Sequence, residues 1–302
     1  MGSGSFGNSC SLDKEFLIWI VKVLNDWGVK SIEFAGGGEP MMNSFMLDAV
    51  KRKDKDSLPI EMSMITNGNY KLYQEEVGLL AQNMRWIGFS IDAGNKEDFK
   101  KVHGISGFEN TIANIEAIST AATKSRSLCD IGYKFLIHEH NVKGLYDAAK
   151  LAKEIGARHF HARPLHRTDA YDDLTVSIAL ELVGKAMSDF DDENFSVFGV
   201  QHKFTNTWNK SLPFKKCLAS PLMAIIMADK TLCACCDRRD SKSLHIGKLE
   251  SPKDIIKLWG SERHREVIKN INVKECPRCI FTYYNELMEK AFVNDDMCRN
   301  FV

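Results

Sequence analysis

Apolar positions along the chain recur first at helical and then at strand spacing. Phe16, Ile20, Val23, Leu24 and Trp27 fall on one helical face, Ser11 stands where a cap would, and Gly28 stops the run. Residues 31–35 read as a strand cut off by Gly36-Gly37-Gly38. The pattern then predicts a helix over 44–52, a strand over 60–66 ending at Asn67-Gly68, a helix over 70–82 and a strand over 86–92. A helix over 108–122, a strand over 131–137, a helix over 142–155 and a strand over 158–163, halted by Pro164, continue it.

Strand-helix alternation of this kind predicts an α/β fold with a parallel sheet and right-handed crossovers. A doubly wound sheet and a barrel both fit, and in both, ligands sit beyond the carboxyl ends of the strands. Those ends carry Gly36-Gly37-Gly38-Glu39-Pro40, Thr66-Asn67-Gly68, Ser90-Ile91-Asp92, His138-Glu139-His140 and Arg163-Pro164. After about residue 200 the pattern changes. Residues 223–227 and 231–235, split by Asp229-Lys230, predict a small hairpin, and 252–259, 262–270 and 284–292 predict helices.

Composition narrows the function classes. The 302 residues are 44% hydrophobic and 26% charged, which is too apolar for disorder and too long for a disulfide-stapled miniprotein. Forty basic residues balance forty acidic ones, so no net field argues for nucleic acid or an anionic membrane. Apolar runs as short as 224–228 cannot span a bilayer, and with no secretory signal visible we expect a cytoplasmic protein. The first residues, Met1–Ser5, read as a leader, and we set residues 1–9 apart from the fold.

Cysteine usage points to a metal. Seven of the nine cysteines (217, 233, 235, 236, 276, 279 and 298) lie near the C-terminus, and an odd total disfavours a disulfide framework. A C-x2-C pair, Cys276 and Cys279, presents two soft sulfurs to one centre. With Cys217 and Cys235 it makes a plausible four-thiolate set for an iron–sulfur cluster or a structural zinc. The glycine turn is neither a dinucleotide fingerprint nor a P-loop. Taken alone it is a tight βα turn through which backbone can approach a ligand.

The ordered set Gly36-Gly37-Gly38-Glu39-Pro40, Thr66-Asn67-Gly68 and Ser90-Ile91-Asp92 resembles the radical S-adenosylmethionine (SAM) superfamily. The resemblance implies a partial (β/α)6 TIM-like barrel over residues 10–200 and a small cysteine-rich α+β domain over 201–302. It implies that Gly37, Gly38 and Glu39 bind the SAM amino group and that Thr66, Asn67, Ser90 and Asp92 face SAM. Lys134 and Arg163 are candidates for its carboxylate, and a salt-bridged charge beside a strand is the alternative for each. The tail resembles the SPASM or shorter twitch extension, which carries auxiliary [4Fe–4S] clusters. In that alignment Lys230 stands where the family has glycine and Cys235 becomes a ligand, with Cys233 or Cys236 as substitutes. Cys298 is a candidate for a second site.

One departure matters. The superfamily's C-x3-C-x2-C motif has no counterpart here, where Cys10 stands alone. We therefore expect five sheet strands, with the first βα unit absent by truncation and the SAM-binding cluster present only in the full-length protein. The implied activity is reductive cleavage of SAM to a 5′-deoxyadenosyl radical that abstracts a hydrogen from a peptide or small-molecule substrate. A flavodoxin or ferredoxin would donate the electron. The alternative is a non-catalytic metal- or partner-binding scaffold. His138, His140, His159, His161 and His166 lie at or near strand ends, and His161 is the acid–base candidate among them. Tyr283-Tyr284-Asn285-Glu286 either packs in the core or lies beneath the auxiliary cluster.

Overall fold

The computed structural model describes residues 10–164, 173–199, 212–276 and 279–292. The chain divides into two compact units, residues 17–207 and residues 1–16 with 208–302.

The first unit is a βα repeat. The opening helix α1 (Lys14–Asp26) leads to β1 (Ser31–Phe34), α2 (Met46–Lys55), β2 (Glu61–Thr66), α3 (Gln74–Asn83) and β3 (Trp86–Ser90). Two helices, α4 (Lys96–His103) and α5 (Phe108–Ser125), precede β4 (Asp130–Ile137). Then come α6 (Leu145–Glu154), β5 (His159–Pro164), α7 (Asp173–Phe190) and β6 (Ser196–Gly199). The α1 cap is Asp13, whose carboxylate accepts from Phe16 N–H at 2.8 Å, and not Ser11. Helix α3 starts later than its apolar pattern predicts, because Asn114 Nδ2 holds the carbonyls of Gly68 and Tyr70 in a loop.

Among the described residues, the six strands of this unit are parallel and pair in chain order, β1 through β6. Six rather than five is a correction to the sequence expectation. The extra strand is β6, paired to β5 at the far end of the sheet from β1. A doubly wound sheet reverses its strand order midway, so this sequential order excludes it. Alternating residues bury one face only: Met62, Met64, Ile87, Phe89, Ile131, Tyr133, Phe135, Phe160 and Ala162 are essentially inaccessible. The other face presents Ser63, Trp86, Ser90, Lys134, His159, His161 and Arg163, each partly exposed. That polar face leads up to the strand ends where the candidate site lies. No described helix is long and apolar enough to cross a membrane.

The second unit carries a three-stranded antiparallel sheet of β7 (Ile225–Ile226), β8 (Thr231–Cys233) and β9 (His245–Lys248). The hairpin was legible, whereas β9 was not. Three helices follow, α8 (Asp254–Leu258), α9 (Glu262–Lys269) and α10 (Thr282–Phe292). Lys230 in the hairpin turn sits at φ +68°, the left-handed conformation that glycine adopts without cost. Its ammonium pairs with Asp13 at 2.6 Å and lies over the Phe16 ring.

Candidate functional site

The end of β1 and the end of β2 are joined by one side chain. Glu39 Oε1 accepts from the Thr66 hydroxyl at 2.6 Å and from Met41 N–H at 3.1 Å. Its Oε2 accepts from Asn67 N–H at 2.7 Å. A carboxylate offers about four lone-pair directions, so one remains for a cationic donor. Immediately upstream, residues 36–38 are exposed, so their backbone groups face solvent with no side chain to screen them.

The second loop is built to hold that geometry. Thr66 is 2% exposed, and its hydroxyl also accepts from Gly68 N–H at 3.0 Å. Gly68 has φ +68°, and a β-carbon there would lie 2.6 Å from the Phe89 ring and 2.9 Å from Thr111. Asn67 Oδ1 accepts from Asn69 N–H at 2.8 Å, and the Thr111 hydroxyl donates to the Asn67 carbonyl at 3.3 Å. Helix α5 thus fixes the loop that in turn fixes Glu39. Nearby, burial raises the Tyr70 hydroxyl's pKa, with the Glu39 charge adding to the rise.

At the third strand end the two candidates part. Ser90 is half-buried on the polar face, level with Lys134 across the β3–β4 pairing. Asp92 is 5% exposed, at φ +56°, and Oδ1 accepts from Leu136 N–H at 2.6 Å. Asn141 Nδ2 caps the Asp92 carbonyl at 2.7 Å. Burial raises the Asp92 carboxyl above the usual range, while the Leu136 N–H and the charges of His103, Arg163 and Lys134 pull it back. His103 Nε2 lies 3.7 Å from Asp92 Oδ2. Asp92 is thus a buried clamp between β3 and β4.

Lys134 lies with Nζ 4.9 Å above the Trp86 ring. Arg163 stands level with Leu136, two residues beyond the Lys134–His161 pair. A cavity of about 420 Å³ on the polar face is lined by Trp86, Lys134, His159, His161 and Phe198 among others. The sequence singled out His161 but not Trp86 or Phe198, whose chemistry has no motif. His138, Glu139 and His140 bring one ligand atom each within 4.8 Å, on an exposed turn. His166 and Cys298 lie outside the described residues.

In the second unit, Cys217, Cys235, Cys276 and Cys279 come together. Burial raises the thiols of Cys217 and Cys235 and carries Cys279 to about 11. Smaller upward pushes come from neighbouring sulfurs, Cys235 and Cys276 on Cys217, Cys276 on Cys235, and Cys217 and Cys235 on Cys279. Four thiolates so placed repel one another, and a bound cation would reverse that cost. Among the described residues no three of these sulfurs lie within 4.8 Å of one another. Cys233 is fully buried on β8, and its thiol donates to the Cys235 carbonyl at 3.4 Å.

Comparison with known proteins bears on the first unit. Residues 5–133 match the family model described as the radical SAM superfamily. A probable GTP 3′,8-cyclase of Saccharolobus islandicus (strain M.14.25 / Kamchatka #1) is 26% identical over 163 residues, 54% of this chain and 50% of that protein. One of Metallosphaera sedula is 27% identical over 147 residues, 49% of this chain and 44% of that protein. The chain thus spans about half the length of the curated relatives it matches. Among solved structures, Streptococcus suis SuiB bound to S-adenosylmethionine is similar with a TM-score of 0.64 at 13% identity, over 88% of this chain and 62% of that one. The same protein bound to precursor peptide SuiA gives 0.63 at 13% identity, over 87% and 61%. These likenesses agree on an α/β fold, and the residues that match the radical SAM superfamily model, 5–133, contain both the Glu39 turn and the loop that braces it.

Proposed function

We propose that the chain is part of a radical SAM enzyme whose Glu39 turn binds the methionine amino group of SAM. The observation that carries this is the Glu39 carboxylate, braced by three donors and retaining one acceptor direction beside an exposed glycine backbone. In the superfamily, SAM on a reduced [4Fe–4S] cluster supplies a radical that abstracts hydrogen from substrate. Residues for that cluster do not fit here: the only cysteines before residue 217 are Cys10 and Cys129, too few for three thiolates.

On this reading Ser90 lies beside the ligand, and Asp92 acts by holding β3 against β4. Lys134 and Arg163 supply positive charge on the same face for the SAM carboxylate, and the strands curve as a partial barrel around it. Cys217, Cys235, Cys276 and Cys279 hold one auxiliary [4Fe–4S] cluster, in a twitch-like module. The mutual electrostatic influence of their sulfurs supports a shared site. The substrate is a peptide or a small molecule, and the similar structure that binds precursor peptide SuiA favours the peptide.

Titration calorimetry tests the SAM site. Glu39→Gln removes the charge and keeps the shape, and should weaken SAM binding about tenfold or more, as expected for losing a charge-assisted hydrogen bond. SAM affinity unchanged in Glu39→Gln would reject the assignment and favour a non-catalytic scaffold.

A further inference from the structure

We propose that Asn285 and Arg238 donate hydrogen bonds to two of the cluster-ligating sulfurs and thereby set the reduction potential of the cysteine site. The inference deepens the auxiliary-cluster reading and rests on it.

Asn285, on α10, is fully buried, and its side chain is used at both ends. Oδ1 accepts from Leu218 N–H at 2.7 Å and Ala219 N–H at 2.9 Å, the two residues after Cys217. Nδ2 donates to Cys279 Sγ at 3.6 Å and to the Phe281 carbonyl at 3.2 Å. One amide therefore pins the Cys217 loop and faces the Cys279 sulfur. A buried amide is costly unless fully bonded, and this one, in the first turn of its helix, is. Packing alone would be served better by leucine.

Arg238 reaches the opposite side of the set. Nη1 donates to Cys276 Sγ at 3.8 Å and to the Asn272 carbonyl at 3.5 Å, while Nη2 pairs with Glu275 at 2.9 Å. Its side chain is 14% exposed, so its charge is only partly screened. The Asn272 carbonyl and Glu275 hold the guanidinium against the sulfur and do not leave it to solvent.

Adding an electron to an iron–sulfur cluster makes it more negative, and that charge spreads onto the ligand sulfurs. Donors aimed at those sulfurs stabilise the reduced form more than the oxidised one and raise the potential. Arg238 contributes a charge as well as a donor.

The test uses the full chain, reconstituted anaerobically with iron and sulfide, and reads iron content and the midpoint potential by EPR-monitored titration. Asn285→Asp keeps the acceptor toward Leu218 and Ala219 and replaces the donor by a carboxylate oxygen. Arg238→Gln removes the charge, and Arg238→Lys restores it. Circular dichroism confirms that each variant is folded. We expect Asn285→Asp and Arg238→Gln each to shift the reduction equilibrium at least tenfold toward the oxidised form, 59 mV for one electron. Arg238→Lys should recover part of that shift. Full iron content with unchanged potentials in both variants would overturn this inference alone. A wild-type chain that takes up zinc and no sulfide would overturn the cluster reading and the inference with it.

Discussion

A thiol's reactivity is set by its surroundings, and the two cysteines of the N-terminal half make the contrast plain. Burial, with the Asp130 charge adding, pushes Cys129 up to about 12, whereas Cys10 is exposed. At pH 8 Cys129 should react with iodoacetamide on the order of a hundredfold more slowly than Cys10. Mass spectrometry of briefly labelled native protein checks this, and equal labelling would mean that β4 opens readily. Lys230 poses a second question of balance. Its left-handed backbone costs about 1–2 kcal/mol, and its exposed partner Asp13 returns about 0–1 kcal/mol. Lys230→Gly should therefore stabilise the cysteine-rich unit by about 1 kcal/mol or less. A lower melting temperature would show that the Asp13 and Phe16 contacts outweigh the strain. At this scale the sequence was informative where chemistry forces a residue type. Glu39, Thr66 and Asn67 could be singled out because strand ends attract polar residues for a reason. Trp86, Phe198, Arg238 and Asn285 as a sulfur donor could not, because their roles come from contacts distant in the chain.

Elements were legible in proportion to their length and periodicity. Strands β1 to β5 were anticipated to within a residue or two at their starts, since each carries alternating or consecutive apolar positions that stop at a glycine or a polar end. Strand β6 has only four residues, with one buried side chain, Val197, and so no alternation to detect. Strand β9 is likewise four residues. Helix α4 was missed because only Phe99 of its eight residues is buried. Across β3 and β4, a tryptophan is accommodated by two missing side chains. β-carbons on Gly88 and Gly132 would lie 2.3 and 2.9 Å from the Trp86 indole. Gly132→Val should expel the indole and destabilise the unit by about 1–3 kcal/mol. In a Trp86→Ala background the same change should cost at least about 1 kcal/mol less. Additive effects of the two substitutions would show that the ring does not rest on Gly132.

For the whole molecule, the cysteine-rich unit is the part whose stability should depend on a bound group. Its sheet is made of strands of two to four residues, and an apolar core of that size is marginal alone. Anaerobically prepared protein should be brown, with about four irons and four sulfides per chain. The Cys276→Ala/Cys279→Ala double variant should lose the colour and the lower-temperature unfolding transition, while the parallel sheet's transition stays in place. Retention of both transitions without metal would mean that the unit is stabilised by its own core.

Sequential strand order has a consequence for synthesis. Each of β2 to β6 pairs with the strand that precedes it in the chain, so no strand waits for a later one to supply its inner neighbour. A chain leaving the ribosome can lay each new strand on an edge that already exists, and every loop to be closed is a single crossover. A doubly wound sheet lacks this property, because its first strand ends in the middle and stays half-unpaired until the order reverses. Here growth runs one way along the sheet, so beside the fixed outer edge of β1 only the advancing edge changes as each strand is added.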